Sequence, residues 1–481
     1  MKYNSNSFIR SFCWKLLEKG SAQIVTLVVS ILLARWLYPE DYGVIAMILI
    51  FISLAEVISE GGFNTALIQK KDADNTDFST IFFSSLGLSV LLYIVLFFTS
   101  PIISRFYGID SLTKVIRILS LSLPFYVLNS IQRAYVAKEM LFDKLFISSL
   151  ISAVMSGGLG CWMALKGFGV WALVAQKLSN QAFITLTMWY TVKWRPILVF
   201  SFNSFKTLFG FGWKIFLTNF IITLFVKIRH LIIGKMFNPS NLAYYERGDQ
   251  FPSFINDNII AAIQSVLLPS LSEQQDDRSR VKSMMRRTTK STALIICPLM
   301  AGLFVVAKPL TLFLLTEKWL PVVPFIQIMC VSNIFKPLTI SNAEAIKALG
   351  YSDITLKLEI IKKVIDITIL VISCCFGLKA IACGVALYNF LCIFINLYPN
   401  IKLLGYKIRE QIADVLPSYI TAIVMGASVF WIGYTDLRPI LILILQAAMG
   451  CVVYVAVNYL FKVESFMYLY ERISKKLKHT L

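Results

Sequence analysis

The stretch ARWLYPEDYGV, residues 34–44, has a counterpart 200 positions later in GKMFNPSNLAY, residues 234–244, and each copy follows a long apolar run. The register holds on both sides. Trp14 and Lys15 face Trp213 and Lys214 upstream, and NTALIQ (64–69) faces QSVLLP (264–269) downstream. Further on, Phe142 and Asp143 meet Ser352 and Asp353, and Lys166 and Gly167 meet Phe376 and Gly377, now at an offset of 210. Identity between the copies is low, but shared order, a nearly constant offset and matching hydropathy point to one ancestral half used twice. In membrane chains such duplication is a transporter architecture, with the substrate site between the halves.

Composition places the chain in a bilayer. Hydrophobic residues make up 57% of the 481 and charged residues 15%, against about a quarter charged in an ordinary soluble domain. A hydrocarbon core of about 30 Å needs about 20 helical residues. By that measure the sequence predicts an all-α, polytopic protein with about 14 transmembrane helices, at 14–37, 42–62, 79–101, 113–137, 145–166, 169–192, 207–234, 243–268, 291–315, 322–347, 355–376, 379–402, 412–433 and 438–461. Alternation over ten-residue segments, the mark of an outer-membrane barrel, is absent. The expected organisation is an N-terminal lobe over 1–200, a C-terminal lobe over 201–405, two added helices within 406–461 and a basic amphipathic tail over 462–481. In that tail Phe466, Leu469, Ile473 and Leu477 alternate with Lys475, Lys476 and Lys478, as in a helix lying on an anionic membrane surface.

A net charge of +19 raises the question of nucleic acid, and its distribution answers it. Lys and Arg collect in alternate loops, most densely at Arg278, Arg280, Lys282, Arg286, Arg287 and Lys290. By the positive-inside rule both termini and that loop are expected to face the cytoplasm. Nucleic acid is not an expected partner. The first apolar stretch contains Lys15, Glu18 and Lys19 and lacks a small-residue cleavage site, so it reads as a retained span. Nine cysteines lie almost wholly within spans and form no C-x-x-C pair, which suits apolar core residues better than zinc ligands. No phosphate-cradling G-x-x-x-x-G-K-[ST] loop occurs, and only His230 and His479 are present, so ATP hydrolysis, a metal centre and histidine acid–base chemistry are not expected. Asp72-Ala73-Asp74 mimics the D-x-D of sugar transferases but sits in a short loop and reads as a solvated acidic turn. No catalytic residues and no cofactor are predicted.

Charge inside the membrane is costly unless it meets water or a partner, and it therefore marks candidate sites. On span 1 Lys15 lies one turn from Glu18; snorkelling to the interface and lining of a cavity both fit. Glu56 and Glu60 lie one turn apart on span 2. Arg133 with Asn129, and Lys177 with Asn180 and Gln181, give spans 4 and 6 polar patches. Span 7 aligns Asn219, Thr223, Lys227 and His230; span 8 aligns Glu246, Asp249 or Gln250, Ser253, Asp257 and Gln264. Lys227 facing Asp257 would neutralise both, and a structural ion pair is an alternative to a functional one. Span 10 carries Asn333 and Lys336 just before Pro337, and Pro124 interrupts span 4, its counterpart in the repeat. Paired prolines in corresponding helices predict hinges or a cavity.

Taken in order, the Trp14-Lys15 dipeptide, ARWLYPEDYGV, EGGFNTALIQKKD (60–72), FYG (106–108), GFGVWALVAQ (167–176), FGFGW (209–213), VLLPSLSEQQDD (266–277) and EKWLPVVPF (317–325) resemble the polysaccharide-export branch of the multidrug, oligosaccharidyl-lipid and polysaccharide exporter superfamily, nearest to O-antigen, colanic-acid and teichuronic-acid flippases. The resemblance runs over about residues 8–410. It implies two six-helix lobes around a cavity, two further C-terminal helices, and an undecaprenyl-diphosphate-linked oligosaccharide moved from the inner to the outer leaflet by alternating access coupled to an H+ or Na+ gradient. Membrane lipids, and the polymerase and chain-length machinery of the same pathway, are the implied partners. Such flippases share no strict catalytic motif, so the site residues come from this chain's own charge placement. Lys15, Lys214, Lys227, Lys336, Arg133 and Lys177 are candidates for the diphosphate and its cavity; Asp257, Glu56 and Glu60 for ion coupling; Pro124 and Pro337 for hinges. Two other classes fit less well. A drug or cation antiporter would favour acidic cavity residues over lysines. A membrane polymerase or ligase would need a sizeable outer loop, and every predicted outer loop is short.

Overall fold

The computed structural model describes the backbone of residues 5–468, 470 and 471, and side chains from Gly20 onward except those of Ser352 and Leu469. The described residues form helices and turns without a strand. They divide into two compact units, Met1–Ala243 and Tyr244–Leu481. The first unit contains α1 (Ser5–Trp36), α2 (Pro39–Glu60), α3 (Phe63–Gln69), α4 (Asn75–Tyr107), α5 (Leu112–Leu119), α6 (Ser122–Glu139), α7 (Phe142–Leu165), α8 (Val170–Thr191) and α9 (Phe202–Met236). The opening residues of α10 (Pro239–Glu273) also fall in it, and the rest of that helix opens the second unit. There follow α11 (Arg278–Leu314), a 3-10 turn, α12 (Val323–Asn333), α13 (Lys336–Ala348), α14 (Ser352–Cys374), α15 (Leu378–Leu404), α16 (Ile408–Phe430), a second 3-10 turn and α17 (Pro439–Leu460).

Ten helical segments among the described residues are long and apolar enough to cross a membrane, and the bent pair formed by α12 and α13 makes an eleventh. Three long helices fall outside that set: α1, whose described apolar part is Gly20–Trp36, and α8 and α14. Lys177, Asn180 and Gln181 dilute α8, and Lys357, Glu359, Lys362, Lys363 and Asp366 dilute α14.

The repeated string is a helix-to-helix corner in both copies. Proline has no N–H to lose at the first helical position, so it starts a helix readily while forbidding the previous one to run through. Thus α1 stops at Trp36 and α2 starts at Pro39, while α9 stops at Met236 and α10 starts at Pro239. Each start is capped within four residues. Tyr38 N donates to the Asp41 carboxylate at 3.0 Å, and Asn241 N donates to Asn238 Oδ1 at 2.8 Å. The two corners also meet within the first unit: a Cβ placed on Gly43 would lie 1.8 Å from the Pro239 carbonyl oxygen, so only glycine admits this approach.

Apolar side chains of α1, α2, α5 and α8, among them Leu33, Ile48, Ile116 and Leu173, form one core of the first unit. Phe63, Phe78 and Met188, with Trp194 from the segment after α8, form another. In the second unit Ile296, Met300, Ile326 and Cys330 join α11 to α12.

One expectation needs correction. The basic segment 278–290, read as a loop, is the first third of α11. Asp277 caps it by accepting from Ser279 N and Arg280 N, and Val281, Met285 and Thr289 recur at four-residue intervals and are buried, so the segment is an amphipathic helix hidden by its mean polarity. Spans 4 and 10, which the sequence marks as interrupted by Pro124 and Pro337, are each two helices, α5 with α6 and α12 with α13. The Asp72-Ala73-Asp74 turn is as expected: Asp74 accepts from Asp77 N and caps α4.

Candidate functional site

In the first unit, polar groups from α2, α3, α6 and α8 meet among apolar helices. Glu60, at the end of α2, accepts from Tyr126 Oη at 2.9 Å and from Asn64 Nδ2 at 3.0 Å, and Asn64 also donates to Ser130 Oγ. Asn129, buried on α6, donates to Gln181 Oε1 on α8 at 3.2 Å. One turn before Glu60, half-buried Glu56 lies within electrostatic reach of Lys177, Lys227 and Arg133. Three cations, from α8, α9 and α6, therefore act on Glu56, one turn from the hydrogen-bonded group around Glu60. The glycine hinge of α2–α3 places that group: Gly61 and Gly62 take φ of 55° and 71°, and an added Cβ on Gly62 would stand 2.3 Å from the Gly212 carbonyl oxygen of α9.

The second unit has its own polar line. Along α10, Asp249 accepts from Ser253 Oγ at 2.9 Å, buried Asn256 donates to Asn333 Oδ1 at 2.8 Å, and Gln264 donates to Glu344 at 2.9 Å. Asp257 pairs with Lys336 at 3.2 Å, an ion pair in which the lysine side chain is 27% exposed and the aspartate 65%. The polar stripe read from the sequence of α10 thus finds its partners on α12 and α13.

Within each unit, one member of the Lys227 and Asp257 pair considered in the sequence has a partner of its own. Asp257 takes Lys336, and Lys227 acts on Glu56. The physical reason is chain order: the break between α12 and α13 puts Lys336 in the first turn of a helix beside α10, whereas Lys227 sits on α9 in the unit built around α2. Lys214 is exposed on α9, and Arg133 is exposed on α6. The side chain of Lys15 lies outside the described residues, as does the tail from 472 onward. Pro124 and Pro337 both stand in the first turn of a helix that follows a break, the second accompanied by a 40° bend. Tyr126, Asn64, Ser130, Asn256 and Glu344 were not singled out by sequence. Each is a polar residue in an apolar span, which is the only signal they carry there.

No group of three or more His, Cys, Asp or Glu side chains arranged to hold a metal occurs among the described residues.

Long apolar helices carrying buried, hydrogen-bonded polar clusters define a multi-pass membrane protein of the transporter class. The chain belongs to the polysaccharide biosynthesis protein family, whose sequence profile matches residues 32–324. It is 25% identical over 334 residues to the succinoglycan biosynthesis transport protein ExoT of Rhizobium meliloti (strain 1021), covering 69% of this chain and 67% of that one. It is 25% identical over 399 residues to the lipopolysaccharide biosynthesis protein WzxC of Escherichia coli (strain K12), covering 81% and 80%. Its fold matches that of the lipid II flippase MurJ in an inward closed conformation, with a TM-score of 0.74 at 16% identity over 94% of this chain and 98% of that one. The resemblance read from the motifs holds, and these relatives are transport proteins rather than enzymes.

Proposed function

We propose that this chain flips an undecaprenyl-diphosphate-linked oligosaccharide from the inner to the outer leaflet of the bacterial cytoplasmic membrane, by alternating access coupled to an H+ or Na+ gradient. The observation that carries the reading is family membership in polysaccharide biosynthesis combined with a fold like that of a flippase for another lipid-linked precursor. The charge placement suits it. A diphosphate needs cationic hydrogen-bond donors, and Lys177, Lys227 and Arg133 act on Glu56 in the first unit while Lys336 opens α13 in the second. Lys15 and Lys214 complete the proposed cationic lining, and Glu56, Glu60 and Asp257 are its ion-coupling carboxylates. Breaks before Pro124 and Pro337 serve as hinges.

Fourteen spans are part of the proposal: the ten apolar segments, the bent α12–α13 pair, and α1, α8 and α14, whose lengths of 32, 22 and 23 residues suffice for a bilayer despite their charges. The repeat places the lobes at 1–200 and 201–405, followed by helices within 406–461 and the cytoplasmic tail 462–481. The polymerase and chain-length machinery of the pathway are proposed partners. Deleting the gene tests the reading. Lipid-linked oligosaccharide should accumulate on the inner leaflet with drug sensitivity unchanged; raised drug sensitivity without accumulation would instead identify an antiporter.

A further inference from the structure

We infer that the cytoplasmic extension of α11 and the segment following α17 form a second anion site, distinct from the proposed translocation cavity, that takes the phosphate of a lipid headgroup. The helix α11 has 37 residues, about 55 Å of rise, against the roughly 30 Å of a hydrocarbon core. Its basic first third therefore projects past the apolar region and reaches headgroup level. There a cavity of about 540 Å³ is lined by Lys282, Arg286, Arg287 and Lys290 together with Ser283 and Ser465. Glu464 is the one acidic side chain in its wall.

The cations are fixed in place by groups behind them. Asp414 on α16, 8% exposed, accepts from Arg286 Nε and Nη2 at 2.7 Å each, from Tyr406 Oη, and from Lys290 at 3.2 Å. Glu410 holds Lys282 at 2.8 Å, and Glu464 holds Lys290 at 2.6 Å. Arg287 is placed differently: its guanidinium lies 4.1 Å from the centre of the Tyr468 ring. Four cations thus face three carboxylates. The excess positive charge, the planar Arg287 donor set and the serine hydroxyls match a tetrahedral phosphate anion. The occupant of best fit is a phospholipid headgroup, because α11 outruns a hydrocarbon core and carries the cavity on its polar end.

The test uses the full chain purified in detergent, its thermal midpoint followed during titration with dioctanoyl-phosphatidylglycerol, dioctanoyl-phosphatidylcholine or sodium phosphate. The anionic lipid should stabilise the protein saturably, and the zwitterionic lipid should not. Arg287→Gln combined with Ser283→Glu should raise the half-saturating lipid concentration at least about tenfold, since it removes one charge-assisted contact and adds a repelling carboxylate, while Arg287→Lys should recover part of it. Lys166→Gln, a surface change in the first unit, should leave it unmoved. Stabilisation by phosphate equal to that by the lipid would overturn the headgroup as occupant and assign the site to a free phosphate anion. No saturable effect, an unaffected double variant, or an equal loss in Lys166→Gln would overturn the site itself; a double variant whose ligand-free midpoint has collapsed is replaced by Arg287→Lys, whose intermediate affinity is then the deciding result.

Discussion

At the residue scale, the pair formed by Lys336 and Asp257 carries the sharpest test of the proposed transport cycle. A partly exposed ion pair contributes at most about 1 kcal/mol to stability. Replacing either member should therefore leave folding nearly intact, while transport responds to the charge. Lys336→Gln is expected to lower flipping at least about tenfold at normal protein level, the loss expected when a charged phosphate contact is removed. Asp257→Asn should change the dependence on pH or sodium. The double variant separates function from structure: if Lys336→Gln with Asp257→Asn restores flipping, the two are only partners of one another. Sequence marked both residues as polar positions in apolar spans but did not pair them with each other, because hydropathy records which positions are polar and not which helices are neighbours.

At the element scale, the corner between α9 and α10 depends on a contact that tolerates no side chain. Gly43→Ala would drive a methyl group into the Pro239 carbonyl, and since both atoms belong to backbone, one of the two corners must move. Loss of folded protein, read as a lowered thermal midpoint, is expected, and more for Gly43→Leu than for Gly43→Ala. Wild-type stability in both variants would refute the close approach. The start of α11 responds to pH. Hydrogen bonds from the Ser279 side chain and the Arg280 amide hold the Asp277 carboxyl below its usual range. A depressed folded value means that the cap is intact above the ordinary aspartate range and is lost as pH falls through the folded value. Hydrogen exchange at the Ser279 and Arg280 amides should quicken over that acidic window in the wild type, and Asp277→Asn should flatten the dependence. The cap was legible in sequence only afterwards. Asp277 stands at the end of a polar run whose helical period lies in three residues, Val281, Met285 and Thr289, spaced among arginines and lysines.

At the scale of the whole molecule, orientation decides the direction of export. The six cations of 278–290 make the steepest charge asymmetry of the chain, and the proposed topology puts them in the cytoplasm. A cysteine at exposed position Ser283, in an otherwise cysteine-free chain, should resist a membrane-impermeant thiol reagent added to intact cells and react after permeabilisation. Efficient labelling from outside would reverse the topology and the proposed direction together. The same segment shows how one feature answers at two scales, since its charge orients the chain while its helical geometry gathers Lys282, Arg286 and Lys290 around Asp414 and Glu410.

By itself the sequence determined the solvent of this protein, its all-helical class, its family and the interruptions at Pro124 and Pro337. Apolar run length, proline position and motif order are local properties, and a bilayer converts them almost directly into helices. Tertiary structure decided which polar groups meet: Glu60 with Tyr126 and Asn64, Asn256 with Asn333, and Asp257 with Lys336. It also decided that 278–290 is helix. Such pairings depend on which helices pack side by side and at what depth. A polar side chain in an apolar run signals only that it requires a partner, and packing supplies the partner's identity.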